Sequence, residues 1–200
     1  MAACKSRKGT SFTLFSVLPI IFVILIFTFL LPEGARAEPN FIDARVREQV
    51  LKINEGTPGA VMGAITELGD GRSNLAIAGL LPDEEARKDA LQAFGLSGIS
   101  VNLLKVIAGR ERPPGDGKFQ LFSSDLSRRA FPSGHTMTSF ALAAVIAKHY
   151  PEYRWLAYGT ATLIGISRLF EDAHWATDVI AGAALGYGSG KMITLEIISW

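Results

Sequence analysis

Residues 154–182 read RWLAYGTATLIGISRLFEDAHWATDVIAG. Two apolar stretches flank a polar break, Ser167 to Asp178, that carries an arginine, a histidine and carboxylates. Neither flank alternates apolar with polar residues, so neither reads as a strand. Both have the continuity of buried helices. At helical spacing, residues i and i+4 lie one above the other on one face, which brings His174 within reach of Asp178. Alone, such a pair reads as an ordinary helix-end hydrogen bond. The rest of the chain gives it weight.

Outward from that stretch the pattern repeats. "HTMTSFALAAVIAKHY" lies before it, and the apolar run begun at Ala176 continues as "AALGYGSGKMITLEIISW". "PDEEARKDALQAFGLSGISVNLLKVIAG" opens on Pro82, carries acids in its first turn and becomes apolar towards Lys105, the expected polarity of a helix. Upstream, Phe41, Val46, Val50, Leu51 and Ile53 sit among charges, which predicts an amphipathic helix closed by Gly56 and Pro58. "VMGAITELGDGRSNLAIAGLL" is broken at Gly69-Asp70-Gly71. With no alternating segment and no repeat, the expectation is an all-α, compact bundle of five or six helices.

The N-terminus predicts export. Lys5, Arg7 and Lys8 precede the run FTLFSVLPIIFVILIFTFLL, and Ala35-Arg36-Ala37 follows. These fit a signal peptide cleaved after Ala37. The run also has the roughly 20 residues that span a bilayer, so an uncleaved anchor is the rival reading. Either way the domains are 1–37, signal or anchor, and 38–200, helical bundle. The bundle is expected outside the cytoplasmic membrane, held on it or soluble in the periplasm, because the basic flank stays cytoplasmic. Apolar runs after residue 40 are short of a confident span, although the last segment has nearly the length. Its Gly182, Gly186 and Gly190 form a small-residue stripe suited either to helix contact in a bilayer or to tight packing in a core. A formal net charge of +1 over 200 residues gives no reason to expect nucleic acid. Cys4 is the sole cysteine, which excludes an intramolecular disulfide.

Three polar clusters carry the chemistry. In "KVIAGRERP", Lys105 and Arg112 are two helical turns apart and can face one way. In "FPSGHT", a Pro-Ser-Gly turn at a helix start presents backbone N–H groups to an anion, with His135 directly after it. In the opening stretch, Arg168 offers a planar fork matched to phosphate oxygens. Three cations, a helix N-terminus and two imidazoles are what phosphoryl transfer needs: charge stabilisation, a nucleophile and an acid. There is no Cys cluster, no HExxH and no Asp-rich loop, so neither metal nor cofactor is expected.

K-x6-RP, PSGH and SR-x5-H-x3-D, in that order between Lys105 and Asp178, resemble the three signatures of the type 2 phosphatidic acid phosphatase and vanadium haloperoxidase superfamily. The resemblance implies a metal-independent phosphatase acting on phosphate monoesters or pyrophosphates, with lipid-linked substrates natural beside a membrane. It implies that His174 is the nucleophile of a phosphohistidine intermediate, that Asp178 orients it, and that His135 protonates the leaving group. It assigns phosphate binding to Lys105, Arg112, Ser133, Gly134 and Arg168. A vanadate-dependent haloperoxidase, or a non-catalytic membrane protein keeping the fold, are the alternatives. Outside the motifs, His149 reads as a helix C-terminal charge partner, Glu171 and Asp172 as loop residues, and Trp175 as packing or an interfacial anchor. Lys118, Arg128 and Arg129 read as basic loop residues.

Overall fold

The computed structural model describes residues 41–54 and 57–197. Among them are seven α-helices: α1 Phe41–Ile53, α2 Thr57–Leu68, α3 Gly71–Gly79, α4 Glu84–Ala108, α5 Gly134–His149, α6 Arg154–Phe170 and α7 Ala176–Thr194. A single 3-10 turn, Pro151–Tyr153, links α5 to α6. The all-α expectation holds. The count exceeds five or six because the break at Gly69-Asp70 divides one anticipated segment into α2 and α3. The signal or anchor segment and the boundary after Ala37 lie outside the described residues.

Local chemistry sets the helix ends. Asp83 caps α4 by accepting from the Ala86 amide at 2.8 Å, with Glu84 and Glu85 in the first turn, a favourable charge at the positive end of the dipole. Gly109 ends α4 in the left-handed region at φ 52°. A Cβ there would sit 1.9 Å from the Gln120 carbonyl oxygen, so both conformation and space require glycine. Asp70 starts α3 the same way, accepting from the Arg72 amide at 2.9 Å.

α5 is the central helix and packs against α4, α6 and α7. Its Ala141, Leu142 and Val145 join Ala78, Ala90, Ala93 and Ile193 in the principal core cluster. A helix apolar all round belongs in such a place. The small-residue stripe is the seam between α7 and α5. Cβ atoms at Gly182, Gly186 and Gly190 would lie 2.7, 2.1 and 2.5 Å from the carbonyl oxygens of Ser133, Met137 and Ala141. Backbones approach this closely only where side chains are absent.

Two expectations are corrected. In α1 the only fully buried residue is Asp43, while Phe41, Ile42 and Ile53 stand largely exposed. This helix is held by polar contacts rather than by an apolar stripe. Arg47 forks onto Asp172 at 2.7 and 2.7 Å, and Asn54 donates to the Phe170 carbonyl at 2.7 Å. Second, α4, not the last segment, is the described helix long and apolar enough to cross a membrane. Ile99 and Leu103 stand exposed on it, as do Trp155 and Leu156 on α6.

Candidate active site

The chain between α4 and α5 doubles back on itself. Arg110 bridges Phe119, the Glu111 amide donates to the Lys118 carbonyl at 3.1 Å, and the Ala130 amide donates to the Arg110 carbonyl at 3.0 Å. This fold-back carries Arg112 over the end of α4 and returns the chain to the first turn of α5. There Lys105, Arg112, Gly134, His135, Arg168 and His174 line one cleft of about 360 Å³. The three clusters, separate in sequence, meet. Ser133 and Asp178 do not line it and are fully buried. The Ser133 amide donates to the Asp178 carbonyl at 3.0 Å, and its hydroxyl accepts from Thr136 at 2.9 Å.

Each cation is tethered. Lys105 Nζ donates to the Arg129 carbonyl at 2.7 Å, and Arg112 Nη1 to the Ala173 carbonyl at 3.1 Å. Arg168 Nη1 bonds Thr66 Oγ1 at 2.9 Å and the Glu171 carboxylate. Its Nε is buried without a hydrogen-bond partner among the described residues, which leaves charged donor capacity unmatched. Burial, with Arg168 beside it, lowers the Arg112 guanidinium from its usual value.

His174 is 4 % exposed. Its Nδ1 lies 3.6 Å from Asp178 Oδ2 and has no hydrogen-bond partner. That spacing is electrostatic contact rather than a hydrogen bond. The Asp178 carboxylate is occupied elsewhere: Oδ1 accepts from Arg110 Nη1 at 2.5 Å, and Oδ2 from the Trp175 amide at 2.9 Å. Burial pushes His174 down to about 4, against the opposing pull of Asp178. His135, in the first turn of α5, is likewise pushed down to about 4 by burial, then by Arg168, with Asp70 opposing. Both imidazoles are therefore neutral at neutral pH in the free protein.

Sequence reasoning missed the supports. Arg110, two residues before Arg112, is 2 % exposed and bonds Asp178, Thr177 and Asp43. Thr66 on α2 steadies Arg168 and Ser167. The first arginine of "GRERP" was the available signal, whereas Asp43 and Thr66 had none. Among the residues outside the motifs, His149 pairs with Asp89 at 2.8 Å. Glu171 binds Arg168, and Asp172 binds Arg47. Trp175 is a buried packing residue whose Nε1 donates to the Glu111 carbonyl at 2.8 Å. Lys118 pairs with Asp116, and Arg128 with Glu111.

Comparison with known proteins follows the same three clusters. The chain is 38% identical over 108 residues to a lipid A 1-phosphatase of Porphyromonas gingivalis, covering 52% of this chain and 22% of that protein. A lipid A 1-phosphatase of Rhizobium etli is 40% identical over 95 residues, 45% of this chain and 41% of that protein. The chain thus spans well under half the length of these relatives. Phosphatidylglycerophosphatase B of Bacillus subtilis is 29% identical over 184 residues, 82% of this chain and 88% of that protein. The fold matches the crystal structure of Aquifex aeolicus LpxE with a TM-score of 0.68 at 23% identity, over 80% of this chain and 98% of that one. It also matches a transmembrane PAP2-type phosphatidylglycerolphosphate phosphatase from Bacillus subtilis with a TM-score of 0.62 at 21% identity, over 92% and 97%. Residues 88–196, which carry all three clusters, match the PAP2 superfamily, and the chain belongs to that family.

Proposed function

We propose that this chain is a metal-independent phosphatase that hydrolyses phosphate monoesters or pyrophosphates carried on lipids, through a phosphohistidine intermediate. The observation that carries the reading is the convergence of two imidazoles and three cations on one cleft. A lipid substrate is supported by the named relatives. It is also supported by an apolar groove on α4 that shares Phe94, Gly98 and Asn102 with the cleft, so an acyl chain has a path beside the phosphate.

In this mechanism Lys105, Arg112, Arg168 and the backbone at Gly134 hold the phosphoryl oxygens. Arg168 Nε finds its missing acceptor there. His174, its Nδ1 turned to Asp178, attacks phosphorus with Nε2. The bound phosphate anion raises the pKa of His135 so that its ring takes up a proton; the bond from phosphorus to the leaving oxygen breaks, and His135 delivers that proton to the oxygen. Water then attacks the phosphohistidine with His135 as base, releasing phosphate and freeing His174. Ser133, buried behind the cleft, acts by placing the Gly134 turn and by anchoring α7 through the Asp178 carbonyl. The exposed apolar faces of α4 and α6 support membrane association, and the extracytoplasmic side follows from the basic residues Lys5, Arg7 and Lys8 before the N-terminal apolar run.

The test is phosphate release by detergent-purified protein in EDTA, from phosphatidate, an isoprenyl pyrophosphate and p-nitrophenyl phosphate. Activity should persist in chelator, favour the lipid substrates and vanish in His174→Ala. An absolute requirement for added divalent metal, or full activity in His174→Ala, overturns the mechanism.

A further inference from the structure

Behind His174 lies a charge cluster that none of the three motifs contains in full. The Arg110 guanidinium donates through Nη1 to Asp178 Oδ1 at 2.5 Å and Thr177 Oγ1 at 2.7 Å. Through Nη2 it donates to Asp43 Oδ2 at 2.6 Å, and through Nε to the Gly117 carbonyl at 3.1 Å. The rings of Phe119 and Trp175 lie 5.0 and 5.6 Å from its centre. Asp43 also accepts from the Thr177 amide at 2.9 Å and the Thr177 hydroxyl at 2.8 Å, tying α1 to the first turn of α7. Arg110 is 2 % exposed, and Asp43 and Asp178 are fully buried. Two carboxylates thus share one guanidinium.

We propose that Arg110 and Asp43 are positioning residues for His174: Arg110 fixes the Asp178 carboxylate, and Asp43 holds the guanidinium from its other side. Asp178 Oδ2 is thereby set 3.6 Å from His174 Nδ1. When His174 bonds to phosphorus its ring becomes cationic, and a fixed negative charge behind it is worth most at that moment. Screening is weak so deep in the protein. α1, read from sequence as an ordinary amphipathic helix, thereby becomes part of the catalytic apparatus.

This inference rests on the phosphohistidine reading, so His174→Ala is assayed in parallel. The full chain in detergent is tested with p-nitrophenyl phosphate and phosphatidate, as Asp43→Asn, Arg110→Lys and the charge-neutral pair Asp43→Asn with Arg110→Gln. The pair removes the Asp43–Arg110 ion pair as a unit and leaves the cluster's net formal charge unchanged, so it gives a second test should a single variant fail to fold. A lysine cannot bridge two carboxylates as the planar fork does. Each variant should lose kcat by about 10–100-fold, the size of effect typical of residues that orient a reacting group, with KM and inhibition by inorganic phosphate within about twofold of wild type. A folded variant with wild-type kcat overturns the inference, as does a loss confined to KM. If His174→Ala stays active, the underlying mechanism fails instead.

Discussion

Gly186 and Gly188 stand two residues apart on α7 and should respond to the same substitution with opposite signs. A Cβ at Gly186 would lie 2.1 Å from the Met137 carbonyl oxygen, where ordinary contact begins near 3.4 Å, and the obstacle is backbone that no rotamer change removes. The seam between α5 and α7 would have to open by about 1.3 Å. Overpacking of this kind costs about 1–3 kcal/mol, occasionally more. At Gly188 nothing lies within 4 Å of the new methyl, so Gly188→Ala should gain up to about 1 kcal/mol from helix propensity. The two variants should therefore differ by about 1–4 kcal/mol. At about 2–4 °C per kcal/mol for a chain of this size, their midpoints separate by roughly 2–16 °C. Thermal unfolding in one detergent, followed by circular dichroism, reads this directly. Gly186→Ala should also lose activity, since α5 carries His135 and α7 carries Asp178 on either side of the opened seam. Equal midpoints, or a more stable Gly186→Ala, would refute the close approach of these helices.

Further predictions concern the histidines. His135→Ala should slow phosphate release by about 10²–10⁴-fold for an alkyl leaving group, the usual contribution of a general acid. It should cost far less for p-nitrophenolate, which departs without a proton; equal losses on both substrates would remove His135 from the acid role. In pH profiles, kcat/KM reports the free enzyme and kcat the complex. His135 sits at about 4 in the free protein because of burial and Arg168, and a bound phosphate anion beside it raises that value. The descending limb of kcat should accordingly lie at higher pH than that of kcat/KM, and coincident limbs would contradict the assignment. The ascending limb belongs to His174, which must be neutral to attack and is so above about 4.

Much was legible from residue order. The absence of alternation gave an all-α chain, Pro82 and the acids after it marked the start of α4, and the three clusters pointed to one anion site. All of these are local signals, written within a turn or two of helix. Reading failed where an element's role is set by its partner. The apolar residues of α1 suggested a buried stripe, yet the helix docks through Asp43 and Arg47 because its neighbour offers Thr177 and Asp172. The spacing of His174 and Asp178 suggested a hydrogen bond, yet Arg110 takes up one carboxylate oxygen and the Trp175 amide bonds the other.

The sequence by itself determined the helices and the residue types that converge on the cleft. Only the tertiary structure decided how those groups are charged and held, since Arg110 reaches Asp43 and Asp178 across separations of 67 and 68 residues. Helical periodicity reports which face of a segment is apolar. It carries no information about which distant segment that face will meet, and in a buried site the distant partner sets the electrostatics.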